Sequence, residues 1–389
     1  MKVLSVIGTR PEAVKMACVV RALEATPGVE SRVVVSAQHR HMLDQILALW
    51  RIVPDYDLDL MRPRQTPSDI TIGVLRGLVE VFEAERPDWV LVQGDTSTAM
   101  AASLAAFYEH IPVGHVEAGL RTYDNGHPYP EEANRRITAV LAKLHFAPTA
   151  WAADNLFREG VSRDTVIITG NTVIDAVREV EKLSFDPIAF GLPDFDLTTK
   201  RLILVTAHRR ENFGRGIVDI CLALRTLVST EPDVHLVMPV HPNPNVHEPV
   251  HRLLGGLDRV TLLPPLDYQP LLWVLRQCAF LLTDSGGLQE EATAVGKPVL
   301  VLRESTERPE GVEAGTAQLV GSDPDLILSW ARRLLHEPDT YEAMARATNP
   351  YGDGHASERI VAALLPRQVV DLRDLEESLN LPVIERADR

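Results

Sequence analysis

An α/β fold of two Rossmann-like, doubly wound domains facing one another across a cleft is predicted by three features of the sequence. Short apolar runs alternate with helical patterns along most of the 389 residues. The runs are continuously apolar instead of alternating, which marks strands buried on both faces of a parallel sheet. They fall into two series, and a length of roughly 150 residues per domain allows two or three domains.

The first series is Val3–Gly8, Arg32–Ser36, Trp89–Gln93, Pro112–Val116, Leu144–Ala147 and Val166–Thr169. The second is Arg201–Thr206, Val234–Val240, Val260–Leu263, Phe280–Thr283, Pro298–Leu302 and Ala317–Val320. Helical segments lie between the strands, as βαβ crossovers require. The stretch Thr172–Lys200 separates the two series and ends in the turn-rich Ser184-Phe185-Asp186-Pro187 and Gly191–Asp196. The expected organisation is a first domain over 1–171, a connection over 172–200 and a second domain over 201–350. A helix within 351–366 (His355 to Leu365) reaches back to the first domain, and 367–389 form a charged surface tail.

Apolar residues make up 45% and charged residues 24%, the balance of a globular protein. With 39 Lys and Arg against 54 Asp and Glu, the formal net charge is −15. That argues against nucleic acid or an anionic membrane as a partner, since both need clustered basic charge. The longest apolar stretches, such as Met100 to Phe107, are far shorter than the ~18 residues that span a bilayer. Three scattered cysteines (Cys18, Cys221, Cys278) form no disulfide framework and no metal knuckle, which fits a cytoplasmic protein.

In open α/β sheets, ligands bind beyond the carboxyl ends of the strands. Arg10, Pro11 and Lys15 follow the first strand, placing two cations at a helix N-terminus that already favours anions. Asp95 and Thr96 follow the third strand, where either could cap a helix. Glu117 follows the fourth, with Arg121 as a possible ion-pair partner. Glu131 and Arg135 open the next helix four residues apart and on one face. Asp95, Glu117 and Glu131 thus bring three carboxylates to one cleft, and crowding pushes at least one pKa upward, as proton transfer requires.

The second domain supplies His208 after its first strand and His241 after its second. His247 and His251 have a zinc-like spacing but no third ligand, so no metal is expected. In Asp284-Ser285-Gly286-Gly287-Leu288-Gln289-Glu290-Glu291 a buried strand runs into a glycine pair and a helix start. Gly286 and Gly287 let backbone approach a phosphate, Ser285 adds a donor, and Glu291 is placed for ribose hydroxyls. Arg308, in Glu307-Arg308-Pro309-Glu310, either serves the cleft or pairs with Glu310.

These motifs, with Gly8–Ala13, His115–Arg121, Pro130–Arg135, Gly170-Asn171-Thr172 and His208–Asn212, resemble the bacterial non-hydrolysing UDP-N-acetylglucosamine 2-epimerases. The match keeps the same order from residue 1 to about residue 365. The resemblance implies a GT-B-type fold and reversible conversion of UDP-GlcNAc to UDP-ManNAc, feeding envelope or capsular polysaccharide synthesis. It implies a homodimer, no metal, no nicotinamide, and UDP retained as a reaction intermediate. Asp95, Glu117, Glu131 and His208 would be catalytic. Arg10, Lys15, Arg135, Ser285, Gly286, Gly287, Glu291 and Arg308 would bind substrate, with His208 and Arg308 beside Arg10 at the diphosphate. Some similar proteins bind a second UDP-GlcNAc as activator; the matching residues are Gln38, His41, Arg64, Arg209 and His241, with His41 standing where regulated members often have glutamine. Activation by substrate is the expectation. A hydrolysing epimerase releasing ManNAc and UDP, a UDP-sugar glycosyltransferase and a silent UDP-sugar sensor are the alternatives.

Overall fold

A computed structural model describes residues 1–38 and 40–365, and at His41 the backbone only. The first domain runs β1 (Lys2–Ile7), α1 (Arg10–Glu24), β2 (Glu30–Val35), α2 (Arg40–Trp50), β3 (Tyr56–Asp57), α3 (Pro67–Glu85) and β4 (Trp89–Gln93). It continues through α4 (Ser97–Tyr108), β5 (Val113–Val116), α5 (Glu131–Leu141), β6 (Leu144–Ala147), α6 (Ala150–Arg158), β7 (Val166–Ile168) and α7 (Thr172–Glu181). The second domain runs β8 (Arg201–Thr206), α8 (Arg215–Thr230), β9 (Val234–Pro239), α9 (Pro244–Leu254), β10 (Val260–Leu263), α10 (Tyr268–Gln277) and β11 (Phe280–Thr283). Then come α11 (Gly286–Ala294), β12 (Val299–Val301), α12 (Pro309–Glu313), β13 (Ala317–Leu319), α13 (Pro324–His336), α14 (Pro338–Ala345) and α15 (Ala356–Leu364).

Every strand expected from an apolar run is present, and all pair in parallel. The added strand is β3, whose two residues continue the edge beyond β2. The strand orders are β3-β2-β1-β4-β5-β6-β7 and β10-β9-β8-β11-β12-β13. Each order reverses direction once, between β1 and β4 and between β8 and β11. At such a switch point the loops diverge to opposite faces and leave a crevice. The loops carrying Arg10, Asp95, His208 and Ser285 all leave strands that flank these two points.

Residues 172–200 open with a helix, α7, which packs on α1 and also touches α11 of the second domain. α15 returns to the first domain and lies on α1 and α7. Its first amides, at Ala356 and Ser357, donate to the Asp175 carboxylate on α7. Ile360, Val361 and Leu364 join the same apolar cluster as Val19, Leu23 and Val177. The tail expected over 367–389 lies outside the described residues. Among the described residues, no helix is long and apolar enough to cross a membrane.

Candidate active site

The first-domain half is built on the ends of β1, β4 and β5. Glu117 follows β5 with φ +62°, a left-handed conformation that a non-glycine residue rarely adopts. The turn continues into Gly119 (φ +94°), where an added Cβ would collide with the Ala152 carbonyl oxygen. The buried Glu117 carboxylate accepts hydrogen bonds from Lys15, from Gln93 and, at 3.0 Å, from Asn171. Burial alone would raise its pKa. The Lys15 ammonium and the Arg308 guanidinium outweigh that and hold it below the usual carboxylate range, so Glu117 is ionised. Arg121 takes no part: it forms its ion pair with Glu159, at 2.7 Å.

Asp95 sits in the turn after β4. The buried His115 ring donates Nε2–H to the Gly94 carbonyl at 2.8 Å, and burial pushes that imidazole down to about 3, so it stays neutral. Asn134 donates to the Asp95 carbonyl at 2.9 Å, and Arg135 pairs with the Asp95 carboxylate. Thr96, not Asp95, caps α4, accepting from the Ala99 amide. Its hydroxyl also donates to Glu12 at 2.8 Å, while the Gly8 amide reaches the other Glu12 oxygen at 3.1 Å. Glu12 thereby ties the Arg10 loop to the Asp95 loop. Burial raises its carboxyl to about 7.

Glu131 differs from the pairing that its spacing predicts. Arg135 is drawn to Asp95, and its other nitrogen lies 3.4 Å from Glu132. A full turn of helix brings the two side chains to one face, but Asp95 offers Arg135 a better-placed carboxylate. Glu131 is left half-buried, with Oε2 enclosed and without a hydrogen-bond partner. Burial and the nearby Asp95 charge raise its pKa.

The second-domain half faces it. Ser285 caps α11, its hydroxyl accepting from the Leu288 amide. Gly286 has a reason the sequence does not reveal: its missing Cβ is where the Arg308 guanidinium lies, 3.0 Å from the Cβ position. At Gly287 nothing stands within 4 Å of that position. Arg308 is buried and bonds Glu290 and Glu307, each at 2.9 Å, with Glu117 at 3.9 Å; Glu310 instead accepts from Thr149 at 2.6 Å. His208 lies 3.1 Å from the buried Asp284 carboxylate, whose other oxygen takes the His208 and Arg209 amides. The His208 ring stacks at 5.9 Å on His241. Glu291 is buried beside Arg10 and Tyr268, and burial raises it to about 7. Arg10 spans the gap, both terminal nitrogens reaching the Leu266 carbonyl at 3.4 Å.

The structure therefore gathers Lys15, Glu117 and Arg308 in one buried cluster and Asp95, Glu131 and Arg135 in an adjoining one. Glu12, Gln93, Asn171 and Glu290, to which the sequence assigns no role, are bonded into these clusters and the loops that carry them. Of the expected activator site, Gln38 accepts from Thr98 at 3.0 Å and Arg64 is exposed. Arg209 stands beside Glu131 and Glu307, and the His41 side chain lies outside the described residues. His247 and His251 lie ring on ring at 4.2 Å, and no group of three or more potential metal ligands gathers among the described residues.

Two Rossmann-like sheets with facing switch points and an ionisable cluster between them define a GT-B-type α/β enzyme. The family model described as UDP-N-acetylglucosamine 2-epimerase matches residues 21–365. The Escherichia coli K12 UDP-N-acetylglucosamine 2-epimerase is 54% identical over 370 residues, 94% of this chain and 98% of that one. The Neisseria meningitidis enzyme, solved bound to UDP-GlcNAc, superposes with TM-score 0.87 at 50% identity, over 94% of this chain and 99% of that one. A co-structure of S. aureus MnaA with UDP gives 0.83 at 45% identity, over 100% and 99%. The chain belongs to the UDP-N-acetylglucosamine 2-epimerase family.

Proposed function

We propose that this protein interconverts UDP-GlcNAc and UDP-ManNAc without hydrolysis. The observation that carries the reading is the split between two carboxylates in one cleft: Glu117 held ionised and Glu131 pushed toward its protonated form. Glu117 removes the proton from C2 of the sugar, and the C–H electrons form the C1–C2 double bond. The C1–O bond breaks and its electrons leave on the UDP oxygen, giving a 2-acetamidoglucal. Glu131, whose pKa burial and the Asp95 charge raise, then delivers a proton to the other face of C2 as UDP adds back at C1. In the reverse direction the two roles exchange. Asp95, fixed by Arg135, faces the sugar with them.

C2–H is weakly acidic, so charge developing on the leaving diphosphate must be stabilised. Arg10, His208, Arg308 and the α11 N-terminus with Ser285, Gly286 and Gly287 serve that end, and Glu291 takes the ribose. Elimination and re-addition move a proton and the diphosphate but no hydride, so the proposed chemistry asks for no nicotinamide, and these side-chain cations and the helix N-terminus take the place a metal would have at the leaving group. The family names and the UDP-GlcNAc and UDP complexes of its relatives support this assignment of ligand.

The test is incubation with UDP-GlcNAc in D2O, followed by NMR of the anomeric signals. Deuterium at C2 with UDP-ManNAc forming is expected. Free ManNAc would establish hydrolysis instead, and unchanged substrate would leave a sensor.

We further propose a cytoplasmic homodimer. Phe107, Tyr108, Ile137 and Val140 on the neighbouring α4 and α5 are exposed, which suits a second copy, and all three cysteines are buried thiols pushed up to about 12. Activation by UDP-GlcNAc at Gln38, Arg64, Arg209 and His241 completes the reading. It predicts a sigmoidal rate curve; hyperbolic curves in both directions, with UDP-ManNAc turned over alone, would remove it.

The Glu291 carboxyl gives UDP binding a pH dependence. Ribose hydroxyls donate to carboxylate, so binding favours the ionised form and lowers a pKa that stands at about 7 in the free protein. UDP affinity is expected to rise from pH 6 toward pH 8, with a proton released near neutrality. Calorimetric titrations in two buffers of different ionisation enthalpy measure that proton, and Glu291→Gln abolishes it.

A further inference from the structure

Asn171 caps α7, its side-chain oxygen accepting from the Val173 amide at 3.1 Å. That bond fixes which way the amide nitrogen points. The nitrogen lies 3.0 Å from Glu117 of the first domain and 3.0 Å from Glu290 of the second. Its two N–H groups are thus both spent, one on each side of the domain boundary. The Asn171 backbone amide donates to the Tyr351 carbonyl at 2.7 Å, where the chain comes back to the first domain. The crossing there is close: an added Cβ on Gly170 would stand 3.3 Å from the Gly352 Cα. Asn171 is fully buried, and every polar atom it has is engaged. Glu290 in turn is held by Arg308, the guanidinium that lies 3.9 Å from Glu117.

We propose that Asn171 is a positioning residue that couples the two domains at the active site, holding Glu117 in register with the UDP side through Glu290. The inference rests on the epimerase reading for its catalytic consequence. A carboxylate on one domain works on a sugar whose diphosphate is held by the other, so any slack between domains becomes slack between Glu117 and C2. Misplacement on the order of 1 Å costs about 100-fold in rate. Asn171 removes that slack by holding one carboxylate of each domain on a single amide nitrogen. The charged groups facing Glu117 from the packed elements are Lys15, Glu290 and Arg308, and Asn171 stands among them as a neutral donor.

Asn171→Ser tests this, because serine keeps the helix cap but cannot span the two carboxylates. The variant is expected to melt close to the wild type, to bind UDP normally, and to lose about 10- to 100-fold in kcat with little change in KM. Losing an N–H donor raises the Glu117 pKa, so the acid limb of the kcat/KM profile shifts to higher pH. Glu290→Gln, which cannot accept from both Asn171 and Arg308, is expected to lower kcat similarly. If the tie acts as a unit, the double variant loses little more than either single one. Wild-type kcat in Asn171→Ser, or losses that multiply in the double variant, would overturn the proposal. Amide hydrogen exchange at residues 115–119 and 287–291 gives a readout that needs no turnover. Faster exchange in Asn171→Ser supports the tie and unchanged exchange sinks it, whereas a wild type that exchanges no C2 proton sinks only the functional reading.

Discussion

Glu117→Gln is expected to lower kcat by about 1,000-fold or more while UDP binding stays within about threefold of wild type. The side chain keeps its size, and its oxygen still accepts from Lys15 and Asn171. Gln93 meets the new amide by turning its own carbonyl toward it. Little is therefore lost in packing. What disappears is the ionised base, held below its usual range by Lys15 and Arg308. Asp95→Asn is expected to act in the same direction, with Arg135 retaining Glu132 at 3.4 Å. Deuterium incorporation at C2 and UDP titration separate chemistry from binding. Turnover near the wild-type rate in either variant removes that residue from the proton-transfer machinery.

Arg308→Ala is expected to be the most destabilising of the cleft substitutions, at about 3–5 kcal/mol. The guanidinium is buried and balances Glu290 and Glu307 directly and Glu117 at longer range. Without it, buried Glu117 and Glu290 face one another with Lys15 as their neighbouring cation, and they must take up protons or open to water. Stability should then improve as pH falls, because protonation relieves the repulsion. Combining Arg308→Ala with Glu290→Gln should recover part of the loss. Thermal melts across pH 5 to 8 read all three effects. An Arg308→Ala protein as stable as the wild type would show that solvent already screens the cluster. UDP binding should also weaken, since the same cation serves the diphosphate.

The sheets were legible because the central strands are buried on both faces and even the edge strands β7 and β10 are apolar runs, so composition alone marks them. β3 was not, since two residues at an edge carry no period. Position after a strand singles out Arg10, Asp95, His208 and Ser285 as candidates because their strands flank the switch points, and Glu117 one strand further along. Pairing was less legible. Lys15 and Glu117 are 102 residues apart and meet only because β4 places β1 near β5. Glu131 and Arg135 share a helix face, yet a third residue from another loop takes the guanidinium. Asn171 and Glu290 lie in quoted motifs, but their meaning depends on two domains touching, which no local pattern encodes. The glycine pair after β11 reads as room for phosphate, and the space beside Gly286 holds the Arg308 guanidinium.

The return of α15 to α1 and α7 has a consequence for biosynthesis. The first sheet, with its partner helices through α7, emerges early from the ribosome, but one wall of its apolar cluster is supplied by Ile360, Val361 and Leu364. The whole second domain must be translated before that wall exists. During this interval α1 and α7 carry uncovered apolar surface, the kind of exposure that draws chaperones or nonspecific partners. Neither half is then a natural unit for separate expression, and a chain ended before residue 356 would pair a finished second domain with an unfinished first.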